Sequence, residues 1–229
     1  MQIYIANDNP RAAALAQELS LPLTSDWDGM GCLLRYEDNF LTIITADALK
    51  YSVDFLSGRL NYRQNRVTHE AVVKAMGQKK RVLDATMGWA RDSFLLSQAG
   101  YDVCSLERSP VVVALVQDGL RRLQEQPFKI LQQEAVEYIS TLNQNDFDCI
   151  YLDPMFSDLK KSSLVKKDMQ VLQLLAIHDE QQGTLLEAAL NTNTKRIVVK
   201  RPAKGATLTS QKPNHSYTGK ACRFDVYFS

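Results

Sequence analysis

From Lys80 onward the chain alternates short apolar runs with longer amphipathic ones, and that rhythm leaves few folds open to it. RVLDAT, YDVCSLE, FKILQQ, FDCIYLD and RIVVKRP read as strands. GWARDSFLLSQAG, SPVVVALVQDGLRRLQEQ and AVEYISTL read as the helices between them, the first closed by Gly100 and the second carrying Pro110 in its first turn. Lys161 to Leu175 and Thr184 to Asn191 read as further helices, and RFDVYF as a terminal strand. Strands alternating with helices at these lengths predict an α/β fold, a mostly parallel sheet with helices on both faces. Runs as apolar as RVLDA and CIYLD fit strands buried on both sides. Ligands of such sheets sit beyond the carboxyl ends of the strands.

Residues 1–66 follow another pattern and are expected to form a small N-terminal α+β subdomain, leaving 67–229 as the main domain. MQIYIA reads as a strand and PRAAALAQEL as a short amphipathic helix. CLLRYEDNFLTIITAD reads as two strands around a turn at Glu37, Asp38 and Asn39, and HEAVVKAMG as a helix capped by Gly77. The 229 residues, 45% of them hydrophobic, are enough for one good core and a small appendage. No apolar run approaches the roughly 20 residues of a membrane helix, and polar residues come too early in MQIYIANDNP for a signal peptide. Cys32, Cys104, Cys149 and Cys222 are far apart and form no CxxC pair, which points to buried reduced thiols in a cytoplasmic protein and to no metal site.

The net charge of +1 says nothing for a polyanionic partner, but its distribution does. Between Ala188 and Phe224 there is no Asp or Glu, against eight positive residues: Lys195, Arg196, Lys200, Arg201, Lys204, Lys212, Lys220 and Arg223. Lys160, Lys161, Lys166 and Lys167 form a second cluster. Such runs are solvated faces or surfaces that meet phosphate.

Two stretches carry chemistry. In VLDATMGWARD a strand ends at Asp84, Gly88 and Ala90 keep the following loop small, and a helix opens with free N–H groups. Glu107 ends the next strand about twenty residues on, where a carboxylate accepts bonds from ribose hydroxyls. The loop has neither the full GxGxxG spacing nor a Walker lysine, so a ribose-bearing ligand without phosphates fits better, S-adenosylmethionine being one. Asp84 and Asp92 would complement its cationic charge, although Asp92 also suits the first turn of a helix on dipole grounds alone. The second stretch is Asp153-Pro154-Met155-Phe156 at a strand end. A carboxylate there can orient an exocyclic amino group, Pro154 stiffens the turn, and Phe156 can stack on a base. The plainer reading is a strand-ending turn with Phe156 in the core.

DATMGWARDSFLL, LERSPVVVALVQDGL, YLDPMF, KKSSLVKKDM, VVKRP and GKACRFDVYF together resemble the small-subunit ribosomal RNA methyltransferase J family, from VDFLSG at residue 53 to the end. The resemblance implies a Rossmann-like class I S-adenosylmethionine-dependent methyltransferase that modifies the N2 amino group of a guanosine in 16S rRNA, as naked RNA or in the small subunit. It implies cofactor contacts by Arg91, Asp92, Glu107, Arg108, Glu134, Ala135 and Asp153, beside Asp84 and Gly88. Asp153 and Phe156 would then hold the flipped guanine, with Lys160, Lys161, Lys166, Lys167, Lys200 and Arg201 on RNA. The family has glycine where this chain has Ala90, and SGRLNYRQNR departs from its Gly-rich version of that stretch. An adenine N6-methyltransferase shares the Asp-Pro-x-Phe pattern, and a dehydrogenase or non-catalytic nucleotide-binding module shares the sheet.

Overall fold

The computed structural model of the chain describes residues 1–56, 60, 66–78, 80–154, 167–176, 182–219 and 221–228. Its elements begin with β1 (Ile3–Ala6), α1 (Ala12–Leu19), β2 (Leu23–Thr24), β3 (Cys32–Glu37), β4 (Phe40–Thr45) and β5 (Lys50–Tyr51). A 3-10 turn at Val67–His69 leads to α2 (Ala71–Met76), β6 (Arg81–Asp84), α3 (Arg91–Gln98), β7 (Asp102–Glu107) and α4 (Pro110–Leu123). Then come β8 (Lys129–Gln132), α5 (Ala135–Ser140), β9 (Cys149–Leu152), α6 (Lys167–Leu175) and α7 (Gln182–Leu190). β10 (Ile197–Pro202), β11 (His215–Thr218) and β12 (Cys222–Tyr227) complete the chain.

Two compact units result. The first joins Met1–Phe55 to Ser109–Glu125 and to α6. Its sheet runs β2-β1-β3-β4-β5. β3 and β4 form the hairpin the sequence predicts, with Glu37 opposite Phe40. Asp38 (φ 47°) and Asn39 (φ 68°) both adopt positive φ, as a two-residue turn matched to strand twist requires, and these side chains tolerate it. α4 joins this sheet through Asp118, whose buried carboxylate accepts the Leu41 N–H at 2.9 Å, 77 positions away. Arg121 and Arg122 neutralise the same carboxylate at 2.9 and 3.1 Å, and the Arg122 guanidinium lies 3.8 Å from the centre of the Phe40 ring. Gly119 lets the helix come close: an added Cβ would lie 2.9 Å from Val53 Cγ1 and 3.0 Å from its carbonyl. The unit is therefore discontinuous in sequence, whereas the sequence pattern suggests one boundary near residue 66.

The second unit holds the larger sheet, in the order β11-β12-β10-β9-β6-β7-β8. From β10 through β9, β6 and β7 to β8 every pairing is parallel, and β12 runs antiparallel between β10 and β11. Leu83, Leu106, Ile150, Leu152, Ile197 and Val199 line one core cluster with Ile139 of α5 and Leu186 and Ala189 of α7. Burying each large aliphatic side chain contributes about 1.5–3 kcal/mol. β11 is not foreseen from sequence, because HSYT is polar and half-exposed and becomes a strand only by pairing with β12. β6, β7, β9 and β10 all point their carboxyl ends to the same edge of the sheet.

Candidate active site

The loop after β6 is tied to both flanking strands. Ala85 N–H donates to the Tyr151 carbonyl at 3.0 Å and Met87 N–H to the Leu106 carbonyl at 3.0 Å. Gly88 N–H donates to Glu107 Oε2 at 3.1 Å. Gly88 (φ 50°) and Ala90 (φ 55°) take left-handed backbone conformations before α3 opens. For Ala90 this conformation costs about 1–2 kcal/mol, partly offset by its buried methyl, worth about 0.8 kcal/mol.

Beneath the loop, Asp84 is buried and accepts bonds from Thr86 N–H at 3.0 Å and Ser93 Oγ at 2.5 Å. Burial pushes its carboxyl up to about 7; the two hydrogen bonds resist the rise, and the neighbouring Asp92 and Asp153 charges add to it. At the carboxyl end of β9, Asp153 N–H donates to Thr86 Oγ1 at 2.6 Å, which fixes the start of the Asp-Pro turn. Lys200 Nζ donates to Asp153 Oδ2 at 2.6 Å and to Asp92 Oδ2 at 2.8 Å. Tyr151 Oη donates to the same Asp92 oxygen at 2.8 Å. Burial raises the Asp153 carboxyl, Lys200 pulls it back, and Asp92 adds to the rise. Burial alone would lower the Lys200 ammonium, but Asp153 and Asp92 hold it well above the usual lysine range. Burial, then the carboxylates, keep the Tyr151 phenol protonated and hence a donor.

Asp92 and Asp153 against the single Lys200 ammonium leave an excess of negative charge among these groups at the mouth of the site, which suits a cationic ligand better than a pyrophosphate. Gly88 and Glu107 stand side by side at the ends of β6 and β7, where a ribose acceptor is needed. The donor set thus fits S-adenosylmethionine, and it opposes the dinucleotide reading.

Of the residues anticipated from sequence, Asp84, Gly88, Asp92, Glu107 and Asp153 gather at this edge. Asp92 stands in the first turn of α3, as its dipole reading expects, and it also accepts bonds from Tyr151 and Lys200. Arg91 opens α3 and Arg108 follows β7, both half-buried. Glu134 caps α5, its Oε2 accepting Glu137 N–H at 2.8 Å, and Ala135 packs against the core cluster. Lys167 is exposed at the start of α6, while Phe156, Lys160, Lys161 and Lys166 lie outside the described residues. The charge run implies a phosphate-facing place for Lys200 and Arg201; in the structure Lys200 is half-buried with its ammonium on two carboxylates, and Arg201 is buried. β10 pairs in parallel with β9, so Lys200 lies one step beyond the Val199–Leu152 pair and meets the carboxylates. Arg201 is buried, and its Nε donates to the Ala206 carbonyl at 2.9 Å. Thr86, Ser93 and Tyr151 escape the sequence reading; strand alternation puts Tyr151 on the same face as Asp153 and was the available signal for it.

Residues 14–229 match the family described as "Putative SAM-dependent methyltransferase". The ribosomal RNA small subunit methyltransferase J of Thioalkalivibrio sulfidiphilus is 40% identical over 244 aligned positions, covering 98% of this chain and 95% of that protein. The protein of the same name from Aeromonas salmonicida is 38% identical, covering 99% and 97%. A crystal structure of an S-adenosylmethionine-dependent methyltransferase from Neisseria gonorrhoeae superposes with a TM-score of 0.74 at 29% identity, covering 99% of this chain and 96% of that one. The acidic mouth, the mostly parallel sheet and these relatives agree: the chain belongs to the ribosomal RNA small subunit methyltransferase J family of S-adenosylmethionine-dependent methyltransferases.

Proposed function

We propose that this protein methylates the exocyclic N2 amino group of a guanosine in 16S rRNA, as free RNA or within the small subunit, in the cytoplasm. The observation that carries the reading is the Asp153 carboxylate, held at the end of β9 by Thr86 and Lys200 beside the acidic mouth. The names of the relatives support a small-subunit rRNA substrate.

Asp84, Gly88, Asp92, Glu107 and Asp153 surround the position assigned to the cofactor, with Arg91, Arg108, Glu134 and Ala135 flanking it. When bound, S-adenosylmethionine supplies a methyl group from a sulfonium centre. Lys200 occupies Asp153 Oδ2, so Oδ1 accepts a hydrogen bond from the guanine amino group. That bond aims the nitrogen lone pair, which is otherwise delocalised into the ring, and gives the proton shed on methylation a place to go. The work is alignment rather than strong acid or base chemistry. Phe156 stacks on the flipped base in this reading, and Lys160, Lys161, Lys166 and Lys167 hold nearby phosphates.

Tritium transfer to rRNA from cells lacking the protein, followed by nuclease mapping and nucleoside analysis, tests the reaction. N2-methylguanosine at one site is expected; label in adenine would overturn the base assignment. Asp153→Ala should lose kcat by about 100-fold or more while cofactor affinity stays nearly constant, since the bond matters mainly in the transition state. An Asp153→Ala protein that melts early yet turns over normally reduces Asp153 to a turn-former.

A further inference from the structure

Lys200 sits in a basic stretch, yet its ammonium points into the acidic mouth. It bridges Asp92 Oδ2 at 2.8 Å and Asp153 Oδ2 at 2.6 Å. Without a cation between them, two carboxylates that close repel, and one swings away or takes up a proton. A protonated Asp153 is a poor acceptor for an amino N–H, and a rotated one misplaces it. Lys200 is itself restrained: Tyr151 Oη, donating at 2.8 Å, shares Asp92 Oδ2 with it. The chain Tyr151–Asp92–Lys200–Asp153 therefore links β9, α3 and β10, and its last member carries the carboxylate assigned to the substrate. The Lys200 side chain is 27% exposed, Asp153 31% and Asp92 11%, so the bridge is partly buried, most deeply at Asp92.

We propose that Lys200 is the positioning residue of methyl transfer, holding Asp153 ionised and turned so that Oδ1 faces the guanine amino group; this rests on the assignment of Asp153 as the acceptor. Lys200 does not touch substrate and donates nothing to the reaction.

A double-mutant cycle on the full chain tests it. Lys200→Met keeps the stem and removes the charge. It should lower kcat by about 100-fold, the scale of a misplaced reacting group, with KM for rRNA little changed. Cofactor affinity by calorimetry should hold or rise, because the mouth becomes more acidic. In the Asp153→Asn background, where no anion needs holding, the same substitution should change kcat by less than about threefold, the non-additivity of residues that act together. Lys200→Arg should recover part of the loss, since it keeps the charge in a different shape. An equal loss in both backgrounds overturns the inference while leaving Asp153 in place. A loss confined to KM with a flatter salt dependence of RNA binding also overturns it and returns Lys200 to phosphate. Full activity of Asp153→Asn alone would strike at the underlying assignment instead. If Lys200→Met fails to fold, the cycle is run with Lys200→Arg: a kcat deficit that vanishes in Asp153→Asn supports the inference, and an unchanged deficit sinks it.

Discussion

Asp84→Asn tests whether the floor of the site is as dry as the structure says. Asp84 is 1% exposed, and burial carries its carboxyl from an ordinary value near 3.8 up to about 7. Between those values the folded chain keeps a proton that the unfolded chain gives up. The stability associated with this group is therefore complete below about pH 4, falls as pH rises, and levels off above about pH 7. At roughly 1.4 kcal/mol per pKa unit the loss is on the order of 4 kcal/mol. Asparagine cannot titrate, yet it can still accept from Thr86 N–H and bond to Ser93. Thermal melts of wild type and Asp84→Asn, run in parallel from pH 4.5 to pH 8, cancel the other titrating groups. Over pH 4.5–8, which spans about 3 kcal/mol of that loss, the wild type should lose ground to the variant as pH rises by about 2–4 °C for each kcal/mol, or roughly 6–13 °C. A difference in Tm that stays flat across the range means that Asp84 is ionised throughout.

Two further outcomes follow from the geometry. On the proposed cofactor assignment, Glu107→Ala removes the acceptor beside Gly88 and a charge-assisted bond worth about 1.5–3 kcal/mol, so affinity for S-adenosylmethionine by calorimetry should drop roughly tenfold to over a hundredfold. Gly119→Ala drives a methyl to 2.9 Å from Val53 and should cost about 1–3 kcal/mol by denaturant titration, without altering kcat for molecules that remain folded.

What the sequence discloses and what it hides divide along a physical line. The Asp38-Asn39 turn, the glycine loop after Asp84, Glu107 on the next strand and the Asp-Pro turn at Asp153 are all legible, because each depends on residues close together in the chain. The place of α4 is not, since its Asp118 finds Leu41 across 77 positions. Nor is Lys200, which lies 47 positions from Asp153 and 108 from Asp92 and meets them only through the parallel register of β10 on β9.

The basic run from Ala188 to Phe224 shows why counting charges misleads. Arg196 Nη1 donates to the Ala75 carbonyl at 2.7 Å, and Arg201 Nε donates to Ala206. Arg223 pairs with Asp225 at 2.9 Å and bonds the carbonyls of Pro202, Ala203 and Gly205, bracing the turn that follows β10. With Lys200 on its two carboxylates, four of the eight cations are committed within the fold. Three of the others, Lys195, Lys204 and Lys212, are exposed. An exposed ammonium can release counterions from a phosphate backbone, whereas one already paired in the interior cannot. Among the described residues, any rRNA contact by this stretch therefore falls first to these three exposed lysines, whereas Lys200 is held by Asp92 and Asp153 and Arg201 is buried against the turn after β10.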